Sequence, residues 1–143
     1  MKKLLPLLLL SLTALRVDAQ APQAFTYQAV ARDADGDALM SAAIDVQFHL
    51  HQGTAAGPVV FAEAHSTTTN AHGLFSLEVG NGTASVGDLA TVDWSDGPYF
   101  MEVLMDIGGT GSLTSVGTQQ LLSVPYALHA GRSSNVPDGT EVG

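Results

Sequence analysis

The chain contains no cysteine in its 143 residues. That excludes disulfides, thiolate metal ligands, a cysteine nucleophile and any lipid attached at a cysteine. Cations are nearly as scarce, with five Lys and Arg against fourteen Asp and Glu and a net charge of −9. Three of the five, Lys2, Lys3 and Arg16, lie in the first nineteen residues beside Asp18. The rest carries Arg32 and Arg132 against thirteen acids, a net −11, and no lysine at all. A surface of that sign repels phosphate backbones and anionic headgroups, which excludes nucleic acid and an anionic membrane surface as partners. No G-x-S-x-G elbow is present, and no glycine-rich loop leads into a helix. No catalytic set and no cofactor are therefore expected.

Long hydrophobic runs are missing too, except at the start. Lys2 and Lys3 precede an apolar run over 4–15, and Val17-Asp18-Ala19 has the small-x-small form of a cleavage site. The run is too short for the ~20 apolar residues of a membrane span. Residues 1–19 therefore read as a cleaved signal peptide, and the product as secreted or displayed at the cell surface, or retained in a periplasm. After cleavage no membrane insertion is expected. Without disulfides the remainder must be held by a packed core, and ~120 residues are enough to bury one.

What the remainder does contain is alternation. The centre is TTTNAHGLFSLEVGNG at 67–82. Phe75, Leu77 and Val79 alternate with Ser76 and Glu78, which predicts a strand between two turns, with Gly73, Gly80 and Gly82 supplying positive φ. Residues 25–31 place Phe25, Tyr27, Ala29 and Ala31 on one face, and residues 44–51 place Ile44, Val46, Phe48 and Leu50 on another. Val59, Phe61, Glu63 and His65 share a side of a third strand. Residues 99–106 are apolar on both faces, which predicts a central strand covered on both sides. Residues 83–89 read as a polar loop, and 113–123 as a last extended run.

These six or seven strands predict an all-β antiparallel sandwich over 20–130, Ig-like or transthyretin-like, followed by a flexible tail at 131–143. A closed barrel is the alternative. The expected core is Phe25, Tyr27, Ile44, Val46, Phe48, Leu50, Phe61, Phe75, Leu77, Val79, Trp94, Phe100, Val103 and Leu104. The apolar stretch 121–128 reads in two ways: docked across a sandwich edge, with Pro125 ending strand pairing and Tyr126 and Leu128 packing onto the body, or as an ordinary last strand with nothing special at the exit.

Three groupings could carry chemistry. Asp33, Asp35 and Asp37 alternate as calcium-loop carboxylates do, but Gly36 is misplaced and the closing Glu is missing, so a hairpin turn is expected. His49 and His51 share a strand face at metal-ligand spacing, with His65, His72 and Glu63 as donors of a third ligand. Without a demonstrable third ligand, a solvated face with no metal is expected. Trp94, Tyr99 and Tyr126 could form a sugar-binding platform, though each also suits a core or rim position.

Together, FTYQAVARD at 25–33 with Gly36, TNAHGLF at 69–75, GNG at 80–82, Asp93-Trp94 and QLLSVPYALHA at 120–130 form an ordered set. The set resembles the N-terminal β-sandwich module of secreted and surface proteins of Gram-negative bacteria, which precedes collagen-like, coiled-coil or tail-fibre-like segments. The likeness covers about 24–130, and its most specific mark is VPYAL-x-A. The T-x-x-x-G-x-F turn is shared with transthyretin-like and carboxypeptidase-regulatory-like sandwiches. The resemblance implies a non-enzymatic extracellular module with no catalytic residues. It also implies a protein or cell-surface glycan partner, and oligomerisation through a downstream fibre segment that these 143 residues do not include. The competing expectations are a carbohydrate-binding module and a metal-dependent enzyme using His49 and His51.

Overall fold

The computed structural model describes residues 23–122. The expected signal peptide, the 124–130 segment with Tyr126 and Leu128, and the tail lie outside these residues. Seven strands follow in order: β1 (Phe25–Val30), β2 (Ala43–Gln52), β3 (Val59–Thr68), β4 (Leu74–Val79), β5 (Thr83–Val86), β6 (Tyr99–Ile107) and β7 (Thr114–Gln120). A 3-10 turn, Leu89–Thr91, separates β5 from β6. The strands form two antiparallel sheets, one of β1-β4 and one in the order β5-β3-β2-β6-β7. The fold is all-β and the two sheets pack as a sandwich does; they do not close into a barrel.

Period-two alternation produces the core directly. Val46, Phe48 and Leu50 of β2 are fully buried, and Phe75, Leu77 and Val79 of β4 meet them from the other sheet. The Tyr27 ring stands edge-on against Phe48 with centroids 5.0 Å apart. Tyr99, Met101, Val103 and Met105 of β6 complete the apolar layer.

Four expected core residues lie elsewhere. Phe100 and Leu104 are only half-buried, because the outer face of the five-stranded sheet has no second layer over it in the described residues. The two-sided cover expected for β6 is therefore one-sided. Phe25 and Trp94 are 38% and 49% exposed. Phe25 sits at the rim of the small sheet, and Trp94 lies in the loop before β6, edge-on against Tyr99. The loop expected at 83–89 contains β5, a strand whose four residues are all exposed and so carry no apolar alternation.

One core residue is charged. Glu63 of β3 is 1% exposed and points between the sheets. Its carboxylate accepts the N–H of Gly80 at 2.8 Å, the N–H of Gly82 at 3.0 Å and Nε2–H of His65 at 2.7 Å. The chain crosses from the small sheet back to the large one at this turn, so Glu63 fastens the crossing. Gly80 has φ +107, and a Cβ there would lie 2.4 Å from the Gln23 carbonyl oxygen. Gly82 does not supply the positive φ expected of it; it is small because a Cβ would meet His65 Nε2 at 2.5 Å.

A second buried carboxylate shapes the β6–β7 connection. Asp106 accepts from the Thr110 hydroxyl and from the N–H groups of Thr110 and Gly111. The Thr110 hydroxyl, joined by these two N–H groups and opposed by burial, holds Asp106 below its ordinary value of 3.8.

Two outcomes are expected. Glu63→Gln keeps the size but sets an amide against backbone N–H groups, and should cost about 2–4 kcal/mol in urea denaturation. A variant as stable as the parent would show that the crossing holds without the carboxylate. A depressed folded pKa contributes stability above the unfolded value, lost as pH falls through the folded one. Asp106 should therefore contribute fully above its ordinary 3.8, with the loss below it. Melting temperature measured against pH should fall in that acid range, and Asp106→Asn should flatten part of the slope.

Candidate functional site

The outer face of the large sheet carries the polar side chains of β2 and β6. β2 is central, paired with β3 on one side and β6 on the other, so its side chains project from a fixed frame. His49 lies directly opposite Glu102 in the β2–β6 register, and opposite the small Ala62 on β3. His51 follows on the same face, just past a bulge in the β2–β3 pairing between Leu50 and His51. The donor atoms of His49, His51 and Glu102 all lie within 4.8 Å of one another.

His51 is held at both ring nitrogens. Its Nδ1 lies 2.8 Å from the Gly57 carbonyl oxygen and its Nε2 2.8 Å from Glu102 Oε2. Both partners are acceptors, so this arrangement suits an imidazolium donating from both nitrogens. Burial works to lower the His51 pKa, but the Gly57 carbonyl and the Glu102 carboxylate outweigh it and leave it above the ordinary value. Glu102 is held below its ordinary value by hydrogen bonds from Ser115 and His51. The Gly57 carbonyl reaches the ring because the 53–58 loop folds back tightly. A Cβ on Gly57 would lie 2.0 Å from the Gln52 carbonyl oxygen, so glycine is required there by space alone. The His49 ring is steered by Gln47, whose Oε1 lies 3.2 Å from His49 Nε2.

The other donors suggested for this face point elsewhere. Glu63 and His65 pair with each other on the inner face of β3, and His72 is exposed in the turn before β4. The third member of the cluster, not among the donors singled out by the sequence pattern, is Glu102. Its own strand gives a signal, since it is the one acid among the apolar residues 99–105. Which histidine it faces depends on a register between segments fifty residues apart.

The aspartates at 33, 35 and 37 make a turn: Asp33 Oδ1 accepts the N–H of Asp35 at 3.0 Å and of Asp37 at 2.9 Å. The three carboxylates do not gather as a ligand group. Trp94 and Tyr99 are T-shaped, with centroids 5.2 Å apart, and Tyr99 is buried, so they offer no flat two-ring platform. Tyr126 lies outside the described residues. No helix among the described residues is long and apolar enough to cross a membrane.

A second feature lies on the inner face. The two-stranded sheet is too narrow to cover five strands, and β7 is exposed along its whole length. Between β1 and β7 runs a mainly apolar trough lined by Phe25, Tyr27, Met101, Val103, Val116 and Leu121, with the polar Thr118 and Gln119 of β7 also on its wall. Val116 is 52% exposed, and Leu121 N–H donates to the Tyr99 carbonyl at 2.9 Å as the chain passes the trough.

The family model described as domain of unknown function DUF8740 matches residues 26–118. The chain belongs to this family. No curated protein and no solved structure matches it. The matched stretch begins in β1 and ends in β7, so the DUF8740 domain takes in both sheets, the Glu63 crossing, the histidine cluster and the trough apart from Phe25, Gln119 and Leu121.

The loop over His51 provides a test. Gly57→Ala in the DUF8740 domain should force the 53–58 loop off Gln52 and cost about 1–3 kcal/mol, as other overpacking changes do. Unchanged denaturation, together with unchanged His51 ring resonances in NMR spectra, would show that the loop does not depend on the close approach.

Proposed function

We propose that the chain is an exported, non-enzymatic interaction module, a transthyretin-like or Ig-like sandwich that heads or anchors a larger secreted or fibrous protein. The observation that carries this reading is the trough between β1 and β7. It is an apolar strip flanked by two strand edges without partners among the described residues. Such an edge recruits an extended apolar segment, main chain to main chain, with alternate side chains entering the groove.

The occupant assigned here is the apolar sequence Val124-Pro125-Tyr126-Ala127-Leu128 of the same chain. Only Leu122 and Ser123 separate it from Leu121, which already lines the trough. Seated there, it would cover Phe25 and Val116 and set the direction in which any further segment leaves the module. The leader-like first nineteen residues, the net charge of −11 after them and the resemblance to surface-protein head modules support export and a structural role.

Truncation separates this reading from an ordinary last strand. A chain ending at Ala130 should melt like the full chain and elute as one species. A chain ending at Ser123 should melt several degrees lower or self-associate, because a trough of large apolar side chains is left open. A synthetic peptide of residues 123–130 should restore the melting temperature in a saturable way. Identical melting and elution of the two truncated chains would overturn the proposal.

A further inference from the structure

The outer-face cluster goes beyond the trough and does not rest on it. We propose that His49, His51 and Glu102 form a binding site for a divalent transition-metal ion, zinc in the first instance.

Four observations carry this. The donor atoms already lie within 4.8 Å of one another, where ligands about 2.0–2.1 Å from a tetrahedral zinc stand ~3.4 Å apart. The difference is at most about 1.4 Å, within the reach of side-chain rotation on a fixed backbone. The donors sit on β2 and β6, which are paired along nine consecutive positions from Ile44–Ile107 to Gln52–Tyr99, so the frame need not move. His51 is oriented as a metal-binding histidine is: one ring nitrogen is tied to a backbone carbonyl, that of Gly57, and the other faces the cluster. The donor chemistry is also selective. Two imidazoles and one carboxylate suit zinc and its first-row neighbours, whereas calcium and magnesium take oxygen donors.

Binding replaces the His51–Glu102 hydrogen bond, so the ion takes the place of a proton on His51 Nε2. Three protein ligands leave a fourth position open. His49 and Glu102 are only half-buried, so that position faces the medium and is available to water or to a ligand from another molecule.

The test is calorimetric titration of the purified, chelator-treated chain with zinc chloride. One equivalent should bind saturably and raise the melting temperature. Cobalt(II) in its place should give the visible absorption bands of a bound, low-coordinate ion. Glu102→Gln and His49→Gln change partly buried groups at nearly constant size, and each should weaken zinc by about tenfold or more. His72→Ala, in an exposed turn, should leave binding unchanged. Should His51→Ala fail to fold, the two outward variants still decide. The proposal is overturned if zinc gives no saturable binding, or if binding is unaltered in both Glu102→Gln and His49→Gln.

Discussion

The rest of the structure depends on a carboxylate placed where a hydrocarbon would be expected. Glu63 lies between the sheets with its oxygens on two backbone N–H groups of the Gly80–Gly82 turn and on His65. A carboxylate buried this deeply is tolerated only when donors surround it. The donors exist because the chain turns there with two glycines, whose lack of side chains brings the backbone within reach. β4 therefore ends, and β5 begins, at a point fixed to the middle of β3. The two-stranded sheet would be marginal alone. It is held by apolar burial on its face and by this polar clasp at its end.

Much of this was legible in the sequence because period-two alternation reports which side of a strand is dry. β2, β3, β4 and the inner face of β6 followed from it within a residue or two at their ends. β5 did not, because Thr83, Ala84, Ser85 and Val86 have no dry side to report. Phe100 and Leu104 misled for a related reason. Apolar residues on both faces indicate a covered strand, but here the outer pair lies across its neighbours under open solvent. Alternation puts Glu63 and His65 on one side of β3, but the pattern within a strand does not say which face of the sheet that side becomes. The cluster on β2 needed that information. Its histidines were visible, its acid was visible, and only the long-range register joined them.

β6 is the element the two candidate surfaces share. Its odd-numbered residues, Met101 and Val103, floor the trough, while Glu102 between them reaches the histidines on the opposite side. A strand that is central to the sheet and hydrogen-bonded on both sides by β2 and β7 keeps these two surfaces in a constant relation. Each surface is therefore backed by a paired strand rather than by a loop.

The pairing of β1 with β4 has a consequence for the order of assembly. β2 and β3 are joined by the short 53–58 loop and can zip together as soon as both exist. Phe25, by contrast, waits for Val79, 54 positions further along. Closing so long a loop costs entropy before any contact repays it, and non-local pairing of this kind slows folding. The pairing of β1, like that of β2 with β6, is thus set by contacts far apart in the sequence rather than by a hairpin. In the folded chain that pairing lays Tyr27 against Phe48 and helps to cover the apolar face of β2.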